Sequence, residues 1–245
     1  MAAKIIFITG TDTGVGKTLL TALLLRHLRR QKIHALALKP FCSGTHDDVQ
    51  LLQSFQNGEL SDEEMNAFYF SKPLAPLAAK KSGQKISAKI ALKKISAIKK
   101  RCDLLLIEGS GGIMVPLTQH FLVAHLIQKL ACEVVLVARN KLGTINHTLL
   151  SLKALQTFGI TKVTIVLMGT ESPDLSIHSN QKMIEKFAGS QRVFHLPFFG
   201  KKSDRKKAVK KIEKKIKKTL AQILNADNFV HVLSNRKEKR LKKRI

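Results

Sequence analysis

Residues 10–18 read Gly-Thr-Asp-Thr-Gly-Val-Gly-Lys-Thr, and no other stretch restricts the possible folds as much. The apolar run Ile5-Ile6-Phe7-Ile8 leads into it, and residues 17–30 carry Leu20, Leu23, Leu24 and Leu28 at helical spacing. The segment is therefore expected as a strand, a glycine-rich turn and a helix. Glycines let backbone N–H groups converge, and the helix N-terminus adds unpaired N–H groups and partial positive charge. Such a turn suits phosphate. Lys17 is placed for the β- and γ-phosphates of a nucleotide, and the Thr18 hydroxyl for a magnesium ion. Gly14, Val15, Gly16 and Leu19 complete the expected nucleotide contacts. The spacing is unusual: five residues separate Gly10 from Gly16, and Thr11 occupies the usual first-glycine place.

Further apolar runs alternate with helical patterns. Ile33 to Leu38, Asp103 to Ile107, Val134 to Val137 and Val163 to Leu167 read as strands. Residues 47–55, 87–100 and 144–157 read as helices, and 66–83, with Pro73 and Pro76, as loop-rich. This alternation implies a doubly wound, mostly parallel α/β sheet of the P-loop NTPase type. Ligands of such sheets bind beyond the carboxyl ends of the strands. Residues 205–224 carry Val209, Ile212, Ile216, Leu220 and Ile223 as one helical stripe among lysines, a last basic helix docked by its apolar face. The expected organisation is one domain over residues 1–224 and a basic tail over 225–245.

Three more clusters fall at strand ends. Lys39-Pro40, with Ser43-Gly44 behind it, offers either a solvated lysine or a charge for a transferring phosphoryl group. Asp47 and Asp48 open the next helix, where N-capping explains either and one is in reach of magnesium. Glu108-Gly109-Ser110-Gly111-Gly112 sets a carboxylate opposite the phosphate loop, suited to a magnesium ion. Its glycines permit close approach of backbone to ligand. Asn140 to His147 opens a helix with Thr144 as N-cap, a place for an anion such as a carboxylate.

Taken together these clusters resemble dethiobiotin synthetase. The resemblance runs through Thr9-Gly10-Thr11-Asp12-Thr13 with Val15-Gly16-Lys17-Thr18, Lys39-Pro40 with Ser43-Gly44, and Glu108 to Gly112 with Val115-Pro116-Leu117. It continues in Ser71 to Pro76 and in Leu142 to His147, and spans roughly residues 4–200. It implies an ATP- and magnesium-dependent ring closure: diaminopelargonic acid forms a carbamate with CO2, the carbamate takes the γ-phosphate, and the second amine closes the cyclic urea. By position, Lys17 and Lys39 are the catalytic lysines, and Thr18, Asp48 and Glu108 the metal ligands. Ser43 contacts the diamine, and Gly109, Ser110 and Gly111 line the nucleotide. The family is a homodimer, and Gly143, Thr144, Ile145 and Asn146 map to the site for the partner's substrate carboxylate. Near the base, Met168-Gly169 stands where the family often has an adenine-reading Asn, and Leu196-Pro197-Phe198 matches more loosely. GTP or CTP are therefore expected to be accepted more readily than usual.

The net charge is +26, and residues 201–245 hold 18 Lys/Arg against 4 Asp/Glu. Such a surface attracts any polyanion. It motivates one rival, a partition-type P-loop ATPase switch that binds nucleic acid through its basic tail. That family usually carries a further Lys early in the loop, where Thr11 and Asp12 stand. A solvated lysine face is the preferred reading of the tail, so no nucleic-acid partner is expected. No apolar run approaches the roughly 20 residues of a membrane span. Met1 to Lys4 shows no secretory pattern, and Cys42, Cys102 and Cys132 are odd in number and widely spaced. The expectation is a cytoplasmic protein with reduced thiols.

Overall fold

The apolar runs become parallel strands because helices cover both their faces. The computed structural model describes residues 3–200 and 205–224, so the expected tail at 225–245 lies outside the described residues. In chain order the elements are β1 (Lys4–Gly10), α1 (Lys17–Arg30), β2 (Ala35–Leu38), β3 (Phe41–Ser43), α2 (Asp47–Gln53), α3 (Asp62–Met65) and β4 (Phe68–Phe70). Then come α4 (Pro76–Ala79), α5 (Ala88–Lys99), β5 (Leu104–Gly112), β6 (Pro116–Thr118), β7 (Phe121–Leu122), α6 (Val123–Leu130) and β8 (Glu133–Arg139). The chain continues through α7 (Thr144–Thr157), β9 (Val163–Met168), α8 (Asn180–Phe187), β10 (Arg192–Leu196), α9 (Arg205–Lys215) and α10 (Lys217–Ile223).

The main sheet is parallel in the order β10-β9-β8-β1-β5-β2. Its register decides which residues meet at the carboxyl edge. Ile8 lies opposite Glu108, and Leu38 opposite Ile107, so Lys39 emerges beside Glu108. On the other side Gly10 pairs with Val137, Arg139 with Met168, and Met168 with Leu196. The phosphate loop therefore leaves the sheet between two rows of strand ends.

Some local expectations shift for identifiable reasons. Ile33 does not begin β2: Lys32 takes a left-handed φ of 59° and the Ile33 N–H bonds the Leu28 carbonyl, closing α1. The loop-rich stretch contains β4, which pairs with β3 and stacks Phe68 on Phe41 at 5.3 Å between ring centroids. The last helix bends at Ile216 (φ −110°, ψ 21°) instead of running straight. The bend turns α10 toward β10, whose Arg192 donates to the carbonyl of Gln222 at 2.7 Å. Val209, Leu220 and Ile223 are buried as the stripe requires.

The last helix is not lysine on every other face. Glu213 of α9 is fully buried against α1, with Arg26 Nε at 3.6 Å, His27 Nδ1 at 3.3 Å and Arg30 Nε at 3.4 Å. This contact lies along the C-terminal half of α1, where His27 is buried beside Glu213. The three cysteines are free, and burial pushes their thiols up to about 11 at Cys42 and Cys102 and about 12 at Cys132. Among the described residues no helix is long and apolar enough to cross a membrane.

Glu213→Ala leaves three basic groups without their acid and is expected to cost about 2 kcal/mol in urea unfolding. Lys214→Ala, on an exposed position, is expected to change stability by less than about 0.5 kcal/mol. Equal effects from the two would contradict the docking role of Glu213.

Candidate active site

A cavity of about 720 Å³ opens at the carboxyl edge of the main sheet. The turn between β1 and α1 forms its floor. Gly16 is the N-cap of α1 at φ 106°, a left-handed conformation that favours glycine, and a side chain there would press on Met168 at 3.1 Å. No side chain caps α1, so its N-terminal N–H groups stay open to the cavity side. Lys17 folds back over the loop and donates to the Asp12 carbonyl at 2.8 Å. Arg139, at the end of β8, clamps the loop by donating from Nε and Nη2 to the Gly14 carbonyl at 3.2 and 2.8 Å.

Beside the loop, three segments bring together a chain of buried polar groups. The Thr18 hydroxyl donates to Glu108 Oε1 at 2.7 Å. The Lys39 ammonium donates to the same oxygen at 2.6 Å and to Asp48 Oδ2 at 2.7 Å. Thr18, Lys39 and Glu108 are each more than 90% buried. Burial alone lowers a lysine's affinity for its proton, but Glu108 and Asp48 outweigh it and hold Lys39 well above the ordinary lysine value. Burial works upward on Asp48, yet the Lys39 charge and its hydrogen bond keep that carboxyl below its usual range. Lys17 differs: burial strips its hydration, Lys39 repels it, and its value falls to about 8 despite the pull of Glu108.

The geometry also tests a magnesium site. Glu108 Oε2 is buried without a hydrogen-bond partner among the described residues, an acceptor aimed at nothing in the protein. With the Thr18 hydroxyl and the Asp48 carboxylate it forms a hard oxygen set that fits magnesium. Among the described residues no group of three His, Cys, Asp or Glu could hold a metal ion alone. That is compatible with magnesium, which commonly takes one or two carboxylates and leaves other positions to phosphates and water.

The cavity wall includes Gly14, Val15, Gly16, Lys17, Thr18, Leu19, Lys39, Ser43, Asp48, Glu108, Ser110, Gly111, Met168, Gly169 and Phe198. Ser43 Oγ is buried there with no hydrogen-bond partner among the described residues. Gly169 permits the close approach of β9 and β10, because a side chain would meet Phe198 N at 2.5 Å. Gly109, Leu196 and Pro197 are not part of the wall, and Leu196 is buried in the core. Gly143, Thr144, Ile145 and Asn146 also lie outside it, at the start of α7. Gly143, not Thr144, is the N-cap of α7, and Thr144 is its buried first residue. The wall residues that were not foreseen include two charges: Arg139, the last residue of β8, and Arg205, which donates to Asp48 Oδ1 at 3.2 Å.

A family model described as an AAA domain matches residues 4–206. The chain is similar to the ATP-dependent dethiobiotin synthetase BioD of Bacillus licheniformis, 41% identical over 190 residues, 75% of this chain and 81% of that one. The Anoxybacillus flavithermus enzyme of the same name is 37% identical over 205 residues, 79% of this chain and 89% of that one. Among solved structures, a ParA family ATPase from Chlorobium tepidum matches with a TM-score of 0.52 at 13% identity, covering 88% of this chain and 92% of that one. The pNOB8 ParA bound to nonspecific DNA matches with a TM-score of 0.54 at 12% identity, covering 92% and 99%. At such identities the likeness is one of fold alone.

The lowered Lys17 sets a pH dependence. Its charged form is the one that pairs with phosphate, and it prevails below about pH 8. A bound nucleotide favours that charged form, so binding above this value must take up a proton. ATP affinity is therefore expected to fall as pH rises from 7 to 9.5, and calorimetry in buffers of different ionisation enthalpy checks it. Constant affinity over that span would contradict the assignment.

Proposed function

The chain belongs to the ATP-dependent dethiobiotin synthetase family, and from that premise we propose how its cavity performs an ATP-driven ring closure. The observation that carries the reading is the run Thr18–Glu108–Lys39–Asp48 beside Lys17 and the open end of α1, all facing one cavity with Ser43.

The triphosphate lies along the turn, where the N–H groups of residues 14–18 surround its oxygens and Lys17 exchanges the Asp12 carbonyl for phosphate. Diaminopelargonic acid and CO2 enter from the Ser43 side, and Ser43 Oγ, otherwise partnerless, takes a hydrogen bond from the substrate. One amine adds to CO2 and loses a proton, giving the carbamate. A carbamate oxygen then attacks the γ-phosphorus and ADP leaves. Lys39 lies where charge builds on the phosphoryl and carbamate oxygens, fixed before the reaction begins. The second amine attacks the carbamoyl carbon, phosphate leaves, and the cyclic urea is complete. Magnesium, held by Thr18, Asp48 and Glu108, would neutralise charge on the β- and γ-phosphates.

The same reading makes the protein a homodimer in the cytoplasm. Gly143 to Asn146 lie outside the chain's own cavity, where a second copy's substrate carboxylate suits the uncapped α7 N-terminus. Leu142, Leu150 and Leu175, on or beside α7, are 78%, 62% and 90% exposed, an apolar surface fitted to burial in a dimer. Three free thiols suit a reducing compartment.

Incubation with diaminopelargonic acid, bicarbonate, magnesium and ATP is expected to yield dethiobiotin by mass. Lys17→Ala and Lys39→Ala are each expected to cut turnover at least about 100-fold without unfolding the protein. Loss in Lys17→Ala alone would point to a generic nucleotide switch. At the far end of the nucleotide, the Met168 thioether offers no amide to read the adenine edge. Competition kinetics are expected to place GTP or CTP within about tenfold of ATP, since an apolar wall discriminates weakly. A strong ATP preference would contradict this.

A further inference from the structure

We propose that Arg205 is a ligand of the nucleotide's terminal phosphates, carried into the cavity by α9. Arg205 and Ala208, on the first turn of that helix, form part of the cavity wall. The guanidinium donates from Nη1 to Asp48 Oδ1 at 3.2 Å, while the other Asp48 oxygen receives Lys39 at 2.7 Å. Arg205 thus stands at the end of the polar run that begins at Thr18. Among the described residues Asp48 is its hydrogen-bond partner, so one of five N–H donors is accounted for. A divalent ion on Asp48 would repel the guanidinium and turn it to the nearest anion, which is the triphosphate.

The residue type agrees with this role. Residues 201–224 hold ten lysines and one arginine. Bulk positive charge there is supplied by lysine, whereas the side chain in the cavity has the planar fork that pairs with two phosphate oxygens. The carrier is also fixed. Val209 is buried, and Glu213, one turn further along α9, is held by Arg26, His27 and Arg30 of α1. Because α1 starts at the phosphate loop, Lys17 and Arg205 approach the ligand from two helices clamped to each other.

The inference rests on ATP as the nucleotide and not on ring closure. Isothermal titration of the full chain with magnesium and the β,γ-imido analogue of ATP tests it. Arg205→Gln is expected to weaken binding about ten- to a hundredfold, the worth of one charged hydrogen-bonded pair. Arg205→Lys is expected to recover part of the loss, with both variants melting as the parent does. Lys210→Gln removes the same charge from an exposed position of α9 and is expected to change affinity less than about twofold. Unchanged affinity in Arg205→Gln, or an equal loss in Lys210→Gln, would overturn the proposal. A parent protein that binds the analogue through Arg205 but forms no dethiobiotin would refute the ring-closing reaction and leave this site standing.

Discussion

One buried ammonium organises the site: Lys39, held between Glu108 and Asp48 at 2.6 and 2.7 Å. A charge removed from water must be paired, and removing one partner leaves the rest exposed to the full penalty. The three residues come from the end of β2, the body of β5 and the start of α2. They meet because β2 and β5 share a register that sets Leu38 against Ile107. Glu108 in turn faces Thr18 because β5 and β1 pair with Ile8 opposite it. The sheet register and the electrostatics of the cavity are therefore one constraint seen at two scales.

Helix α1 transmits this order outward. Its first turn holds Lys17 and Thr18, and its C-terminal half sets Arg26, His27 and Arg30 around Glu213. The lysine-rich helix α9 is consequently part of the architecture of the cavity. The bend at Ile216 lets α9 lie along α1 while α10 reaches Arg192 at the edge of the sheet.

The centre of the sheet was legible in the sequence for a physical reason. Strands buried on both faces, such as Ile5 to Ile8 and Leu104 to Ile107, must be continuously apolar. Helix α7 was read with its observed limits, 144–157, and α1 with its limits, 17–30. β10, with Arg192 and His195 at half-exposed or exposed positions, was missed because an edge strand need not be apolar. β3 and β4 were missed because three-residue strands leave no period to detect. In the cavity, motif spacing pointed to Lys17 and Glu108, and the family resemblance singled out Lys39 and Asp48. Arg205 was illegible because lysines surround it in sequence, and its meaning comes from a contact with Asp48, 157 residues away. Glu213 was hidden the same way, as one acid in a basic helix whose role appears only when α9 docks on α1.

In the proposed reaction these groups serve an in-line attack of a carbamate oxygen on the γ-phosphate. Turnover with CO2 labelled with oxygen-18, run faster than exchange with water, tests that step directly. One labelled oxygen is expected in each phosphate released and one in the ureido carbonyl of dethiobiotin. Phosphate carrying no label from CO2 would contradict it.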